Sequence, residues 1–263
     1  MVFNYISEHK NFGKTRTNQM VGIMKQLLIV SLLISAPLTF LPHLSTIHKD
    51  TPSPKQTLEV LWYKTIGGND NEYGLSIYVT NKTIYISGTY INAYIAALNR
   101  TTGEIIWNSG WNGYDAYIAL ADNNIYSTGK TQDYDVALVE MNPTGNLVWS
   151  RTWGGGDDDA GHGVFVYNDY IYVVGYTYSF GAGGHDVCLL KYDLDGNLVW
   201  NRTWGGGGGR WEEGHGVFVY NDYIYVVGYT ESFGAGYYDV CLLKYDLDGN
   251  LVWNRTWGGG YYD

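Results

Sequence analysis

Positive charge is scarce in this chain. Sixteen Lys and Arg stand against 26 Asp and Glu, leaving a net charge of −10. Binding a phosphate backbone needs a basic surface, so nucleic acid is excluded as a partner. Cations and neutral polymers remain as ligands. Helix-forming runs are missing after residue 45, which excludes a helical domain there. Cysteine is nearly missing: Cys188 and Cys241 are the only two, and they are repeat-equivalent. Equivalent points on neighbouring repeats lie farther apart than the roughly 7 Å Cα limit for a disulfide. Both are therefore expected to be buried free thiols.

Long apolar runs are missing too, with one exception. Residues 27–44 are largely apolar and follow a polar segment carrying Lys10, Lys14, Arg16 and Lys25. A basic start before a short apolar stretch reads as a secretory signal or an uncleaved anchor. Residues 1–44 are thus expected to form an apolar helix that exports the chain. Cleavage is expected near Ser35-Ala36, and residues 45–57 read as a linker. The chain is expected to be secreted or on the cell surface. Its one membrane contact is this segment, which anchors it if it is not cleaved.

What is abundant is repetition. "GHGVFVYNDYIYVVGYT" begins at Gly161 and again at Gly214, and "DVCLLKYDLDGNLVWNRTWGGG" follows in both copies. An internal period near fifty residues marks a modular array. Each copy holds four short runs rich in Val, Ile, Tyr and Trp, separated by Asn-Asp, Gly-rich and Asp-x-Asp-Gly turns. Those residues and lengths suit β-strands. In residues 170–177, Tyr170, Tyr172, Val174 and Tyr176 face one way, and Ile171, Val173 and Thr177 the other. A sheet that is apolar on both faces needs a neighbour on both faces. Four-stranded sheets meet that need by packing face to face around an axis, as a β-propeller. Gly175 and Gly228 are expected to let adjacent sheets approach closely.

The units fall at about 73–108, 115–153, 163–204 and 216–257, within a propeller region at 58–263. Residues 58–66, "LEVLWYKTI", read as an extra fourth strand. The fold class is therefore all-β: four full four-stranded blades plus one extra strand, in a possibly incomplete ring. Three arrangements stand open: a piece of a longer propeller, a closed four-bladed ring with a spare strand, or an open array completed by another chain. An open array leaves apolar blade faces and strand edges for self-association.

"IYVVGYT", "LLKYDLDGNLVW" and "RTWGGG" resemble the seven-bladed β-propeller repeat called SBBP. "NRTTGEIIW" at residues 99–107 is similar to the outer hairpin of quinoprotein (PQQ-type) blades. The resemblance implies a propeller and is nearly silent on activity, because propellers host many functions.

Strand alternation collects the long loops at one end of the units. That end carries Asp157, Asp158, Asp159, His162, His185, Arg210, Trp211, Glu212, Glu213, His215, Tyr237 and Tyr238. Acidic and aromatic groups together suit a glycan or a cation. The matched Gly-His-Gly contexts of His162 and His215 favour a structural contact between blades. Asp193, Asp195, Asp246 and Asp248 lie in Asp-x-Asp-Gly-Asn turns that resemble the start of a calcium loop, but the later ligands of an EF-hand are missing. A tight hairpin turn accounts for the same letters. Calcium is the one cofactor these turns admit. Sequons stand at Asn81, Asn99, Asn201 and Asn254.

No nucleophile, base and acid converge in the sequence, and no quinone-binding set is evident. The function expected is an exported, non-enzymatic binding module for a glycan, a surface or a protein. The alternative is a propeller enzyme, either a quinoprotein-like dehydrogenase or a polysaccharide-active one, or a truncated piece of a longer propeller.

Overall fold

The computed structural model describes residues 62–67, 71–90 and 92–260. The expected N-terminal helix, cleavage site and linker lie outside these residues. The chain divides into two compact units, 1–65 and 66–263, and every strand among the described residues belongs to the second. Residues 62–67 form no strand, so the described part of the expected extra strand is not one. None of the described residues forms a helix long and apolar enough to cross a membrane.

Four antiparallel sheets succeed one another along the chain. The first holds β1 (Tyr73–Val79), β2 (Thr83–Tyr90), β3 (Asn92–Asn99) and β4 (Ile105–Trp111). The second holds β5 (Gly113–Ala121), β6 (Asn124–Thr131), β7 (Val136–Met141) and β8 (Leu147–Trp153). The third holds β9 (Asp159–Tyr167), β10 (Tyr170–Thr177), β11 (Gly184–Asp193) and β12 (Leu198–Trp204). The fourth holds β13 (Arg210–Tyr220), β14 (Tyr223–Thr230), β15 (Asp239–Asp246) and β16 (Leu251–Trp257). A two-residue parallel ladder joins the last two sheets, with Gly184 opposite Arg210 and His185 opposite Trp211.

Turn chemistry explains the joints. Asn168, Asn221 and Asp222 adopt positive φ between first and second strands, a conformation that Asn and Asp tolerate. In the last turn of the third sheet, Gly196 has φ +78°, and Asp193 Oδ1 accepts from the Asn197 N–H at 2.8 Å.

The core is three apolar slabs, each between two sheets. Tyr85, Ile95 and Ala97 meet Ile118, Ile125 and Met141. Tyr126, Val136 and Leu138 meet Ile171, Val173 and Leu190. Tyr172, Val174 and Leu189 meet Ile224, Val226 and Leu243. The alternation along β10 thus feeds two slabs at once, as face-to-face packing requires. Cys188 and Cys241 are buried free thiols, and burial pushes the Cys241 thiol up to about 12.

The glycine expectation needs correcting. A Cβ on Gly175 would fall on the Ala160 carbonyl oxygen of its own sheet, and one on Gly228 would fall on that of Glu213. Each sits opposite a β-bulge in the first strand, between Gly161 and Gly163 and between Gly214 and Gly216. The bulge turns a first-strand carbonyl toward the second strand. The glycine therefore makes room within its sheet rather than between sheets. Gly88 and Gly129 meet first-strand carbonyls in the same way.

The sheets are also fastened at their outer edge. Arg151 Nε and Nη2 donate to the carbonyls of Gly196 and Asp195 at 3.0 and 2.9 Å. Arg202 repeats this on Gly249 and Asp248 at 2.9 and 2.8 Å. Trp107 Nε1 donates to the Pro143 carbonyl at 3.0 Å. In each case the fourth strand of one sheet grips the last turn of the next.

Candidate functional site

The long loops are pinned from below by buried carboxylates. Asp159 accepts from the Gly155 N–H at 3.0 Å and the Ser179 hydroxyl at 2.7 Å. Glu212 accepts from the N–H groups of Gly206 and Ser232, both at 2.9 Å, and from the Thr230 hydroxyl at 3.1 Å. Asp186 and Asp239 hold the N–H groups of Ala182 and Ala235 at 2.9 Å. The sequence places Asp159 and Glu212 on the ligand face. In the structure both are fully buried and their oxygens are spent on the loops. Asp157 is exposed, and its backbone N–H donates to the Ser179 hydroxyl. Asp158 pairs with Lys130 at 3.2 Å.

Above these anchors, β9, β11 and β13 bring together His162, His185, Glu213 and His215. Glu213 is the hub. The His185 Nδ1–H donates to its Oε1 at 3.0 Å. Its Oε2 lies 3.8 Å from His162 Nδ1 and 3.8 Å from His215 Nε2. The Tyr229 hydroxyl donates to the same carboxylate. Glu213 is followed at two residues by His215, the extra residue of the bulge between Gly214 and Gly216, so the bulge rather than simple alternation aims its ring at the cluster.

Aromatic rings wall the cluster. His185 is sandwiched between Tyr176 at 4.3 Å and Trp211 at 4.6 Å, nearly parallel to both, and Tyr178 meets it edge-on at 5.6 Å. His162 stacks on His215 at 5.0 Å and touches Tyr117 and Tyr176. The expected contact between blades through the paired histidines is therefore a ring stack. Trp211 keeps 43% of its surface exposed. Beside it, Arg210, Glu231, Gly236, Tyr237 and Gly260 line an open depression of about 470 Å³, and Tyr229 packs edge-on against Tyr238.

The electrostatics follow from burial. Desolvation, with His215 as a second cause, lowers His162 to about 4, so its ring is neutral at neutral pH. Desolvation also lowers His215. For Glu213, burial raises the carboxyl, but hydrogen bonds from His185 and Tyr229 and the facing histidines outweigh it, and the net shift is downward. Burial, aided by Asp115 and Glu213, pushes the Tyr117 phenol up to about 12. The cluster thus presents an ionised carboxylate and unprotonated imidazole.

The Asp-x-Asp-Gly turns lie elsewhere, at the outer edge. Asp193 holds the Asn197 N–H and side-chain amide at 2.8 and 2.9 Å, and Asp246 does the same with Asn250. The side-chain bonds from Asn197 and Asn250 lead in lowering both acids. Asp195 and Asp248 offer their carbonyls to the arginine grip. Of the sequons, Asn81, Asn201 and Asn254 are exposed, and Asn99 caps its turn by accepting from the Thr101 and Thr102 N–H groups. Among the described residues, His162, Glu213 and His215 form the one group of three such side chains close enough to hold an ion.

Sequence reading misses Tyr117, Tyr176, Tyr178 and Tyr229 in this site. A signal for Tyr178 was present. Where the two long copies disagree, the residues come to this end: Asp158 against Trp211, Ala160 against Glu213, Tyr178 against Glu231, His185 against Tyr238.

The PQQ_2 family model, described as "Outer membrane protein assembly factor BamB", matches residues 91–257. No curated protein matches. Among solved structures, a europium-containing methanol dehydrogenase is 17% identical with a TM-score of 0.49. That match covers 70% of this chain and 42% of the dehydrogenase, so the chain spans less than half of that protein. The computationally designed Ika4 protein is 12% identical with a TM-score of 0.42, covering 74% of this chain and 96% of Ika4.

Proposed function

The chain belongs to the PQQ_2 family described as outer membrane protein assembly factor BamB, and on that premise we propose that it is an exported propeller acting as a binding module for glycans. The observation that carries this reading is the depression lined by Arg210, Glu231 and Tyr237, with the exposed Trp211 beside it. Exposed aromatic faces take the apolar face of a sugar ring, and a cation and a carboxylate offer hydrogen bonds to its hydroxyls. The units are read as SBBP-type repeats on the strength of "LLKYDLDGNLVW" and "RTWGGG". The loop face supplies specificity and the blades supply rigidity.

A glycan array probed with the full chain, followed by titration of the best ligand, tests this. Binding that falls at least about tenfold in Trp211→Ala and Tyr237→Ala supports the reading. Absence of any retained glycan, or turnover of a substrate, overturns it.

A second observation favours self-association. Val227 on β14 is 42% exposed, whereas its repeat partner Val174 on β10 is fully buried against the next sheet. The surface around Val227, Phe218 and Val240 is what an adjoining blade covers elsewhere in the array. The occupant proposed for it is a second copy of this chain. Light scattering during size-exclusion chromatography tests this: a defined oligomer that Val227→Asp dissolves supports it, and a monomer at all concentrations sinks it.

A further inference from the structure

We propose that His162, Glu213 and His215 form a binding site for one divalent transition-metal ion. The proposal is independent of the glycan reading.

Three observations meet here. The donor set is two imidazoles and one carboxylate, which suits zinc, cobalt, nickel or copper and not the all-oxygen preference of calcium. The three donor atoms lie within 4.8 Å of one another. A tetrahedral site with metal–ligand bonds of about 2.0–2.1 Å sets its donors roughly 3.3 Å apart. Both Glu213–histidine separations are 3.8 Å, about half an ångström beyond that spacing; the His162 and His215 rings, stacked at 5.0 Å, turn out of their stack to aim both nitrogens at one ion. Finally, His162 Nδ1 is buried and makes no hydrogen bond. A buried polar nitrogen without a partner costs stability, and an ion between it and Glu213 Oε2 removes that cost.

The surroundings are those of a ligand shell. His185 fixes the far oxygen of Glu213, leaving Oε2 to face both histidines. Metal-bound carboxylates and histidines are usually oriented by such outer partners. His215 keeps 48% of its side chain exposed, which leaves a route for an ion and room for water in a fourth position. His185 acts as a positioning residue, through Glu213.

Untagged, chelator-stripped full chain is titrated with Zn²⁺ by calorimetry and with Co²⁺ by visible absorption. One ion per chain is expected, with cobalt bands in the visible. Glu213→Gln and His215→Ala are expected to weaken binding by more than about tenfold, and His185→Tyr, which copies Tyr238, by about tenfold. Thermal midpoints of the ion-free variants identify any that fail to fold. Histidine ring NMR signals of the wild type give a readout that needs no variant. Shifts at His162 and His215 on adding Zn²⁺ support the site. Shifts confined to His9, His43 and His48, unchanged affinity in both ligand variants, or no saturable binding overturn it.

Discussion

β10 and β14 have the same sequence, YIYVVGYT, and different lives. β10 lies between two sheets and is buried along nearly its whole length, while β14 mixes buried with partly exposed positions and is exposed at Val227. The difference lies in the neighbours. The two copies agree across the strands, where packing against any adjoining blade demands the same apolar letters. They disagree mostly at the loop end, and there the substitutions converge on Glu213. Identity builds the array, and divergence builds the site.

The largest expected effect tests the shared part. Gly175→Ala is expected to cost about 3 kcal/mol in chemical unfolding, because the methyl meets the Ala160 carbonyl. Gly228→Ala is expected to cost about the same, since Glu213 supplies the same obstacle. If the glycine served close approach of a neighbouring sheet, only the sandwiched copy would suffer.

Next comes one residue in two settings, His162 against His215. The folded-state value of His162, about 4, lies below its unfolded value of 6.5. The unfolded chain therefore takes up the proton first. The stabilisation is fully present above about pH 6.5 and is lost as pH falls toward 4. The expected loss is on the order of 3 kcal/mol. Lys130, His185 and His215 push in the same direction and Glu213 against it. Denaturant midpoints measured between pH 7 and 4 check this, and His162→Gln should flatten the slope more than His215→Gln.

A smaller effect separates equal valines. Val174→Ala is expected to cost about 2 kcal/mol in the monomer, and Val227→Ala under about 0.5 kcal/mol. Equal costs would mean that β14 is covered in solution.

The fold was legible because its signals are periodic. Alternating Tyr and Val across residues 170–177 announced two apolar faces, and the repeated turns divided the strands. The site was less legible. Asp159 and Glu212 looked like surface acids because a carboxylate in a Gly-rich loop reads as solvated, yet they are buried as receptors for backbone N–H groups. Calcium-like spacing in Asp193-x-Asp195 drew attention to a turn whose acids brace their own hairpin. The role of Glu213 depends on His162, about fifty residues away, and no local pattern encodes that meeting.

The smallest expected effect belongs to the divergent part. Trp211→Asp copies Asp158 and touches an exposed ring, so thermal stability should stay within about 0.5 kcal/mol. Glycan retention should fall all the same. A large loss of stability would mean that the stack on His185 is structural rather than part of a binding face.

The outer grip has a consequence for how such a chain comes into being. The arginine of Trp-x-Arg sits at the tail of a unit, and the turn that receives it sits just before that tail in the following unit. Each of the two long copies carries both a hook and an eye. A gene segment duplicated in tandem therefore arrives with its joint already made, since the new eye faces the old hook without any further mutation. Selection can then leave the strand cores untouched and vary the loops and the strand ends that meet them, which is the pattern that the two long copies preserve.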